Sequence, residues 1–253
     1  MFKNNLFWSD HDKRPAARRK RPQRILDFFR RAVKWILLGG AGAVAAVLVL
    51  LVLLRWVPVP TSVFMLTQHL NGQKPAYQWV PWSKISPAVP IALVAAEDQR
   101  FPDHWGFDVK AIGDALKANH RRSSPRGAST ISQQVAKNLF LWSDKSWVRK
   151  GLEAALTLAI ELCWSKRRIL EVYLNIAQFG PNTFGVSAAS RRYFGVSPAR
   201  LTQRQAALLA AVLPNPKSYS LSPPSPYVRQ RATEIGEQVR RLGGPAYLAK
   251  MNR

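Results

Sequence analysis

The sequence predicts a mainly α chain carried on one N-terminal transmembrane helix. Three observations predict it. Residues 36–54 form a run of nineteen without a charge. From residue 90 onward, apolar side chains recur at the three- and four-residue spacing of helices. The alternating pattern of half-buried strands is scarce.

Taken in order, the basic end comes first. Residues 1–35 hold eleven Lys and Arg against three acids, with the cluster Arg18-Arg19-Lys20-Arg21. At ~1.5 Å per residue the uncharged run spans roughly the ~30 Å of a hydrocarbon core. Trp35 and Arg55-Trp56 bracket it as interface residues do. The positive side is N-terminal, which sets 1–35 in the cytoplasm and 57–253 outside. A cleaved signal peptide would instead have about 7–15 apolar residues and a small-residue cleavage site. This run is longer and ends Leu53-Leu54-Arg55-Trp56-Val57-Pro58, so an uncleaved anchor fits better. Gly39, Gly40 and Gly42 would either permit close helix packing or are simply tolerated there. The expected divisions are a tail 1–35, a transmembrane helix 36–56, a connector 57–80 and an exported domain 81–253.

Residues 57–90 are rich in Pro and aromatics and read as an irregular or extended connector near the membrane. Pro90 suits the first turn of a helix over 91–98. Residues 108–120 fit an amphipathic helix with Val109, Ile112, Ala115 and Leu116 on one side. Residues 121–128 read as a loop. Ser129 is a candidate cap for a helix over 130–141, and Ser146 for one running through Trp164. Ile169, Leu170, Tyr173 and Leu174 mark the next helix. A loop over 180–185 precedes a short helix over 186–193. The Ala- and Leu-rich stretch 201–213 should be buried, and Pro214 and Pro216 stop it. Residues 225–242 read as a polar, basic helix. There is no internal repeat.

Composition narrows the function. The chain has 253 residues and a formal charge of +24, enough for one catalytic domain plus an anchor. A single cysteine, Cys163, excludes an internal disulfide framework and a Cys-rich zinc module. His11, His69, His104 and His120 are too scattered for an HExxH site. An exported basic domain is expected to meet anionic lipid, phosphates or acidic polymers rather than nucleic acid; a merely solvated basic surface is the plainer reading.

Three clusters carry chemistry. Glu97-Asp98 ends the apolar run Ile91-Ala92-Leu93-Val94-Ala95-Ala96. A carboxylate at a helix C-terminus opposes the helix dipole, and both that and apolar surroundings raise its pKa. This makes a usable general base or acid, unless the pair is a solvated acidic cap. Phe101, His104, Trp105 and Gly106 follow; His104 could steady a loop by hydrogen bonding. The second cluster runs from Gly127 through Ser129, Thr130, Gln134, Lys137 and Asn138, with hydroxyls and amides at a helix start. Thr130, Gln134 and Lys137 share one helix face, which is either a polar cleft wall or an ordinary exposed face. It is no P-loop, because the glycine spacing is absent. The third cluster is Arg149-Lys150 with Glu153. Arg149 and Glu153 are either a surface ion pair or part of a diphosphate site with a second carboxylate. Glu153 shares a stripe with Thr157, Ile160 and Trp164, a half-buried face.

Together these stretches resemble the biosynthetic peptidoglycan glycosyltransferases, glycosyltransferase family 51. The five family motifs occur in order: Glu97 to Phe101 with His104 and Gly106; Gly127 to Asn138; Arg149-Lys150 with Glu153; Lys166 to Asn175; and Gly185 to Ala189 with Tyr193-Phe194-Gly195. The likeness covers about residues 80–225. Gly180 to Gly185 departs from the family's usual glycine-and-tyrosine loop. Neither transpeptidase signature, Ser-x-x-Lys or Lys-Thr-Gly, is found, which resembles the monofunctional type.

The resemblance implies a lysozyme-like glycosyltransferase domain with a small jaw at about 102–127, in the periplasm on the bacterial inner membrane. It implies polymerisation of lipid II. Glu97 would be the base on the acceptor 4-hydroxyl, and Glu153 would help organise the donor diphosphate. Lys137, Arg149 and Lys150 would stabilise the leaving group, Thr130 and Gln134 would line the donor site, and Asp98, Phe101 and His104 would shape the pocket. Ser129 and Asn138 fall in the same motif as substrate-binding candidates. No protein metal ligands are implied; a divalent cation, Mg or Mn, would be bound through the substrate diphosphate. The implied partners are lipid II, undecaprenyl-diphosphate-linked glycan, the membrane, and cell-division or wall-synthesis proteins.

Overall fold

The computed structural model describes residues 21–119, 129–144 and 146–252. The chain divides into one unit ending at Val47 and another running from Leu48 to Arg253. Helix α1 (Arg21–Leu54) makes up most of the first. Its stretch Leu26–Leu54 is long and apolar enough to cross a membrane. The helix starts well before residue 36, where the sequence set the start of the transmembrane helix. Leu26, Phe28, Phe29 and Val33 extend the apolar pattern, and the intervening Arg and Lys are good helix formers, so nothing interrupts it. Residues 1–20 of the basic tail lie outside the described residues.

Within the second unit, side chains cap the last turn of α1. Trp164 Nε1 donates to the Leu51 carbonyl at 2.7 Å. Arg168 donates to the Leu54 carbonyl at 2.7 and 3.1 Å and to that of Val57 at 2.5 Å. Carbonyls at a helix end lack partners within the helix, so these donors satisfy them.

The connector is more ordered than its prolines suggest. Helix α2 (Val63–Leu70) is capped by Ser62, whose Oγ accepts from Met65 N, and it buries Met65. Strand β1 (Ala76–Tyr77) pairs parallel with β3 (Thr183–Phe184), which pairs antiparallel with β2 (Gln178–Gly180). The expected loop over 180–185 is therefore a tight hairpin, turned by Pro181-Asn182 with Asn182 at φ 53°. Gly185 follows at φ 78°, and a Cβ there would lie 2.4 Å from the Asn175 carbonyl oxygen, so only glycine fits.

The core is built on α3 (Ala88–Glu97), buried continuously from Val89 to Ala95. It packs against α9 (Gln203–Val212) and α10 (Pro226–Arg241). Beside it α5 (Ile131–Phe140) packs against α6 (Trp147–Cys163) and α7 (Lys166–Ile176), and α8 (Gly185–Phe194) packs on α7 and the sheet. Helix α4 (Val109–Asn119) follows the Phe101–Asp103 turn. Val109 is 77% exposed, so the apolar side expected of this helix does not begin there. Residues 120–128, which include the whole of the expected 121–128 loop and the end of the jaw, lie outside the described residues. A run of 3₁₀ turns, Gly244–Asn252, closes the chain.

The cap of α5 is Thr130, one residue later than the Ser129 expected. A capping box needs a Glu or Gln three residues on. From Thr130 that residue is Gln133, and from Ser129 it is Ser132, too short to reach back. Thr130 Oγ1 accepts from Gln133 N at 3.2 Å, and Gln133 Oε1 accepts from Thr130 N at 3.0 Å. Ser146 and Ser165 cap α6 and α7 in the simpler way.

Candidate active site

Helix α3 is apolar until its last residue, Glu97, which is half-buried. Gln134 Nε2 donates to Glu97 Oε2 at 2.8 Å, and Tyr173 Oη donates to Gln134 Oε1 at 2.9 Å. Burial raises the Glu97 carboxyl above the ordinary carboxylate range. Gln134, Arg231 and Lys137 pull the other way and Asp98 adds to the rise, but burial dominates. Burial also holds the Tyr173 hydroxyl well above its ordinary value, so it remains a donor.

Asp98 does different work. It is buried, accepts from His104 Nε2 at 2.9 and 3.1 Å, and accepts from the Ile131 backbone amide at 3.0 Å. It ties the end of α3 to the start of α5 and to the loop after Phe101. His104 Nδ1 is buried without a hydrogen-bond partner. Phe101 is fully buried, with Lys166 Nζ 4.6 Å from its ring centroid. Thr130 is buried too. Its hydroxyl donates to the Gly106 carbonyl at 2.6 Å while capping α5, so both hydrogen-bonding roles of that hydroxyl are taken. Ser129 is exposed.

One turn beyond Gln134 lies Lys137, whose ammonium sits 5.9 Å from the Phe64 ring centroid. Burial lowers its pKa first of all; Glu153 and Glu97 counter this, and Arg149 and Lys150 reinforce it. Lys137 thus feels both carboxylates and both neighbouring cations. Lys137, Gln134 and Asn138 line a cavity of about 240 Å³ together with Tyr173, Asn215 and Lys217.

Glu153 is buried on α6. Its Oε2 accepts from Arg149 Nη1 at 2.7 Å, and its Oε1 pairs with Lys150 Nζ. Arg149 is further fixed by donating from Nε to the Asp144 carbonyl at 2.5 Å. The Lys150 side chain is 43% exposed and free to turn outward. Among the described residues no group of three or more His, Cys, Asp or Glu could hold a metal. Both Glu153 oxygens already carry cations, so these side chains do not fit a protein-held ion.

Gln134, Lys137 and Glu97 are therefore linked, as are Arg149, Lys150 and Glu153, and Lys137 connects the two sets electrostatically. Asp98, Phe101, His104 and Thr130 form the frame behind them. Sequence reasoning gave no role to Tyr173, although it lies in a quoted motif. It also missed Arg231, which reads as one more solvated arginine on α10, and Lys217, which follows the helix-stopping prolines. Only the fold brings the last two near the site.

Comparison with known proteins identifies the family. The transglycosylase family profile matches residues 65–240. The chain is 51% identical over 234 residues to a biosynthetic peptidoglycan transglycosylase of Pseudomonas entomophila, covering 90% of this chain and 98% of that one. It is 54% identical over 211 residues to one of Pectobacterium atrosepticum, covering 80% and 86%. A third, of Pseudomonas aeruginosa, is 49% identical over 235 residues, covering 90% and 100%. Fold, site and relatives define a peptidoglycan glycosyltransferase, an enzyme of cell-wall synthesis with a lysozyme-like, mainly α domain. The chain belongs to the transglycosylase family.

Proposed function

We propose that this chain polymerises lipid II by an inverting single displacement, with Glu97 as general base. Glu97 takes the proton of the acceptor's 4-hydroxyl as that oxygen attacks the anomeric carbon of the donor. The bond from that carbon to the diphosphate oxygen breaks, and its electron pair leaves with the undecaprenyl diphosphate. A sugar hydroxyl is a poor nucleophile, so a positioned carboxylate of raised pKa is the group needed. The leaving diphosphate needs cations more than a proton, and Lys137, Arg149 and Lys150 supply them. Glu153 keeps Arg149 and Lys150 in place. Gln134 orients Glu97, and Asn138 lines the adjoining cleft. Ser129, exposed just before the start of α5, is left to contact substrate. Any Mg or Mn taking part arrives on the substrate diphosphate.

The observation that carries this reading is the 2.8 Å hydrogen bond from Gln134 to Glu97, made by the helix that bears Lys137 one turn further on. The α1 anchor and the basic N-terminal side support a single-pass protein of the bacterial inner membrane, N-terminus in the cytoplasm and catalytic domain in the periplasm. Partners among cell-division or wall-synthesis proteins belong to the same proposal. The test is polymerisation of purified lipid II by Glu97→Gln protein. The expected result is folded protein that makes no glycan strands; unchanged polymerisation overturns the assignment. Supplying preformed strands is the second arm, since cutting them without lipid-linked substrate identifies a lytic enzyme.

A further inference from the structure

Helix α10 has two working flanks. On one, the positive charge of Arg231 favours ionised Glu97. On the opposite flank, by the helical repeat, Arg229, Thr233, Gly236 and Arg240 line a separate cavity of about 760 Å³ that includes neither Glu97 nor Arg231. The cavity lies between α3, α9, α10 and the Gly243–Pro245 turn. It exists because the facing residues are small: Ala88 and Ala92 on α3, Ala207 on α9, and Ala232 and Gly236 on α10. A Cβ on Gly236 would meet nothing within 4 Å.

Its chemistry is two-sided. Ile91, Leu208 and Val239 add apolar floor to the alanines, while Arg204, Arg229 and Arg240 bring guanidinium groups from two helices. No carboxylate is among its described lining residues. Arg229 is fixed by donating Nη1 to the Pro224 carbonyl at 2.5 Å. Forked guanidiniums favour phosphate or carboxylate, and a cavity of this size suits a small molecule rather than a polymer. We propose that this cavity binds an amphipathic anion, its phosphate or carboxylate head on the arginines and its hydrocarbon body in the slot, apart from the catalytic cleft.

The test is calorimetric titration of the full chain in phosphatidylcholine nanodiscs, with empty discs subtracted. The probes are octyl phosphate, inorganic phosphate and octyl glucoside. Octyl phosphate is expected to bind saturably at one site. Gly236→Phe, which fills the slot, and the exposed pair Arg204→Gln/Arg240→Gln should each weaken it about tenfold or more. Thermal melting checks that both variants fold, and the arginine pair carries the test if Gly236→Phe does not. The proposal is overturned by the absence of saturable binding, by inorganic phosphate or octyl glucoside binding as tightly as octyl phosphate, or by folded variants that bind unchanged. Discs containing phosphatidylglycerol separate the sources. Weaker octyl phosphate binding there supports the proposal with a bilayer head group as competitor, and unchanged binding supports it with a soluble amphiphile.

Discussion

Gln134 holds Glu97 by a 2.8 Å hydrogen bond from its amide nitrogen, and that amide is itself set by Tyr173 at 2.9 Å. The carboxylate at the end of α3 is thus aimed by a helix that carries Lys137 one turn later. The bond favours the ionised base, partly opposing the burial that raises its pKa. Gln134→Leu removes that donor, so the Glu97 pKa rises further. The acid limb of the pH profile for lipid II polymerisation should move to higher pH. Tyr173→Phe frees the amide to turn and should move the same limb less. A limb that stays put in both variants would remove Gln134 from this role.

The raised pKa of Glu97 also bears on stability. A carboxyl that binds its proton more tightly in the native state makes stability fall as pH rises between the unfolded and folded values. Ionised Glu97 is therefore a net cost at neutral pH. Glu97→Gln should melt higher than the parent at pH 7, even as it is expected to lose polymerisation. The difference should shrink below the ordinary glutamate value of 4.5, where the parent carboxyl is protonated in both states. Melting curves from pH 4 to 8 decide this. Equal Tm throughout would mean that burial costs the base nothing.

Lys137 titrates in the opposite sense. Its pKa is lowered from 10.5, chiefly by burial, so its positive charge is lost below the usual lysine range. The alkaline limb of the polymerisation profile should report it. Lys137→Arg keeps a charge throughout and should shift that limb upward. Lys137→Met should lower kcat by about 10²–10³-fold, the range for losing one preorganised charge partner of the transition state. An alkaline limb that stays in place in Lys137→Arg assigns it to another group.

Much of this site was legible in the sequence, for identifiable reasons. Glu97 stood out because an apolar helix rarely ends in a carboxylate, and Glu153 because it shares a stripe with Ile160 and Trp164. Local rules also placed Ser146 as a cap. The same rules misplaced the cap of α5 at Ser129, because the deciding residue was the glutamine three positions on. Prolines in the connector concealed α2, whose Met65 becomes buried only once the domain is assembled. The hairpin over β2 and β3 was missed because its short strands are held by β1, about a hundred residues earlier. Arg231 and Lys217 reach the site only through tertiary packing, which periodicity does not record.

Thr130 is best tested by two substitutions. Its hydroxyl caps α5 and bonds the Gly106 carbonyl at 2.6 Å, so it works as framework. Thr130→Ser keeps both bonds and should retain nearly all stability and activity. Thr130→Val keeps the shape and loses both, and the cap alone is worth about 1 kcal/mol. Tm and activity should therefore fall together in Thr130→Val. Full stability with lost activity would instead mean that the hydroxyl meets substrate.

Glu153 and its two cations give the sharpest stability contrast. Removing one member of a buried ion pair costs about 3–5 kcal/mol, because the other charge stays buried and unpaired. Glu153→Gln leaves Arg149, whose side chain is only 11% exposed and is tied to the Asp144 carbonyl. Lys150 can turn into solvent, so it adds little to that cost. Lys150→Met should accordingly change stability by less than about 1 kcal/mol, as for exposed ion pairs. Glu153→Gln should lower the denaturation midpoint severalfold more. Glu153→Leu combined with Arg149→Met removes both buried charges and should recover stability without recovering polymerisation. Recovery of polymerisation as well would show that this pair serves the fold alone, with no part in holding the diphosphate.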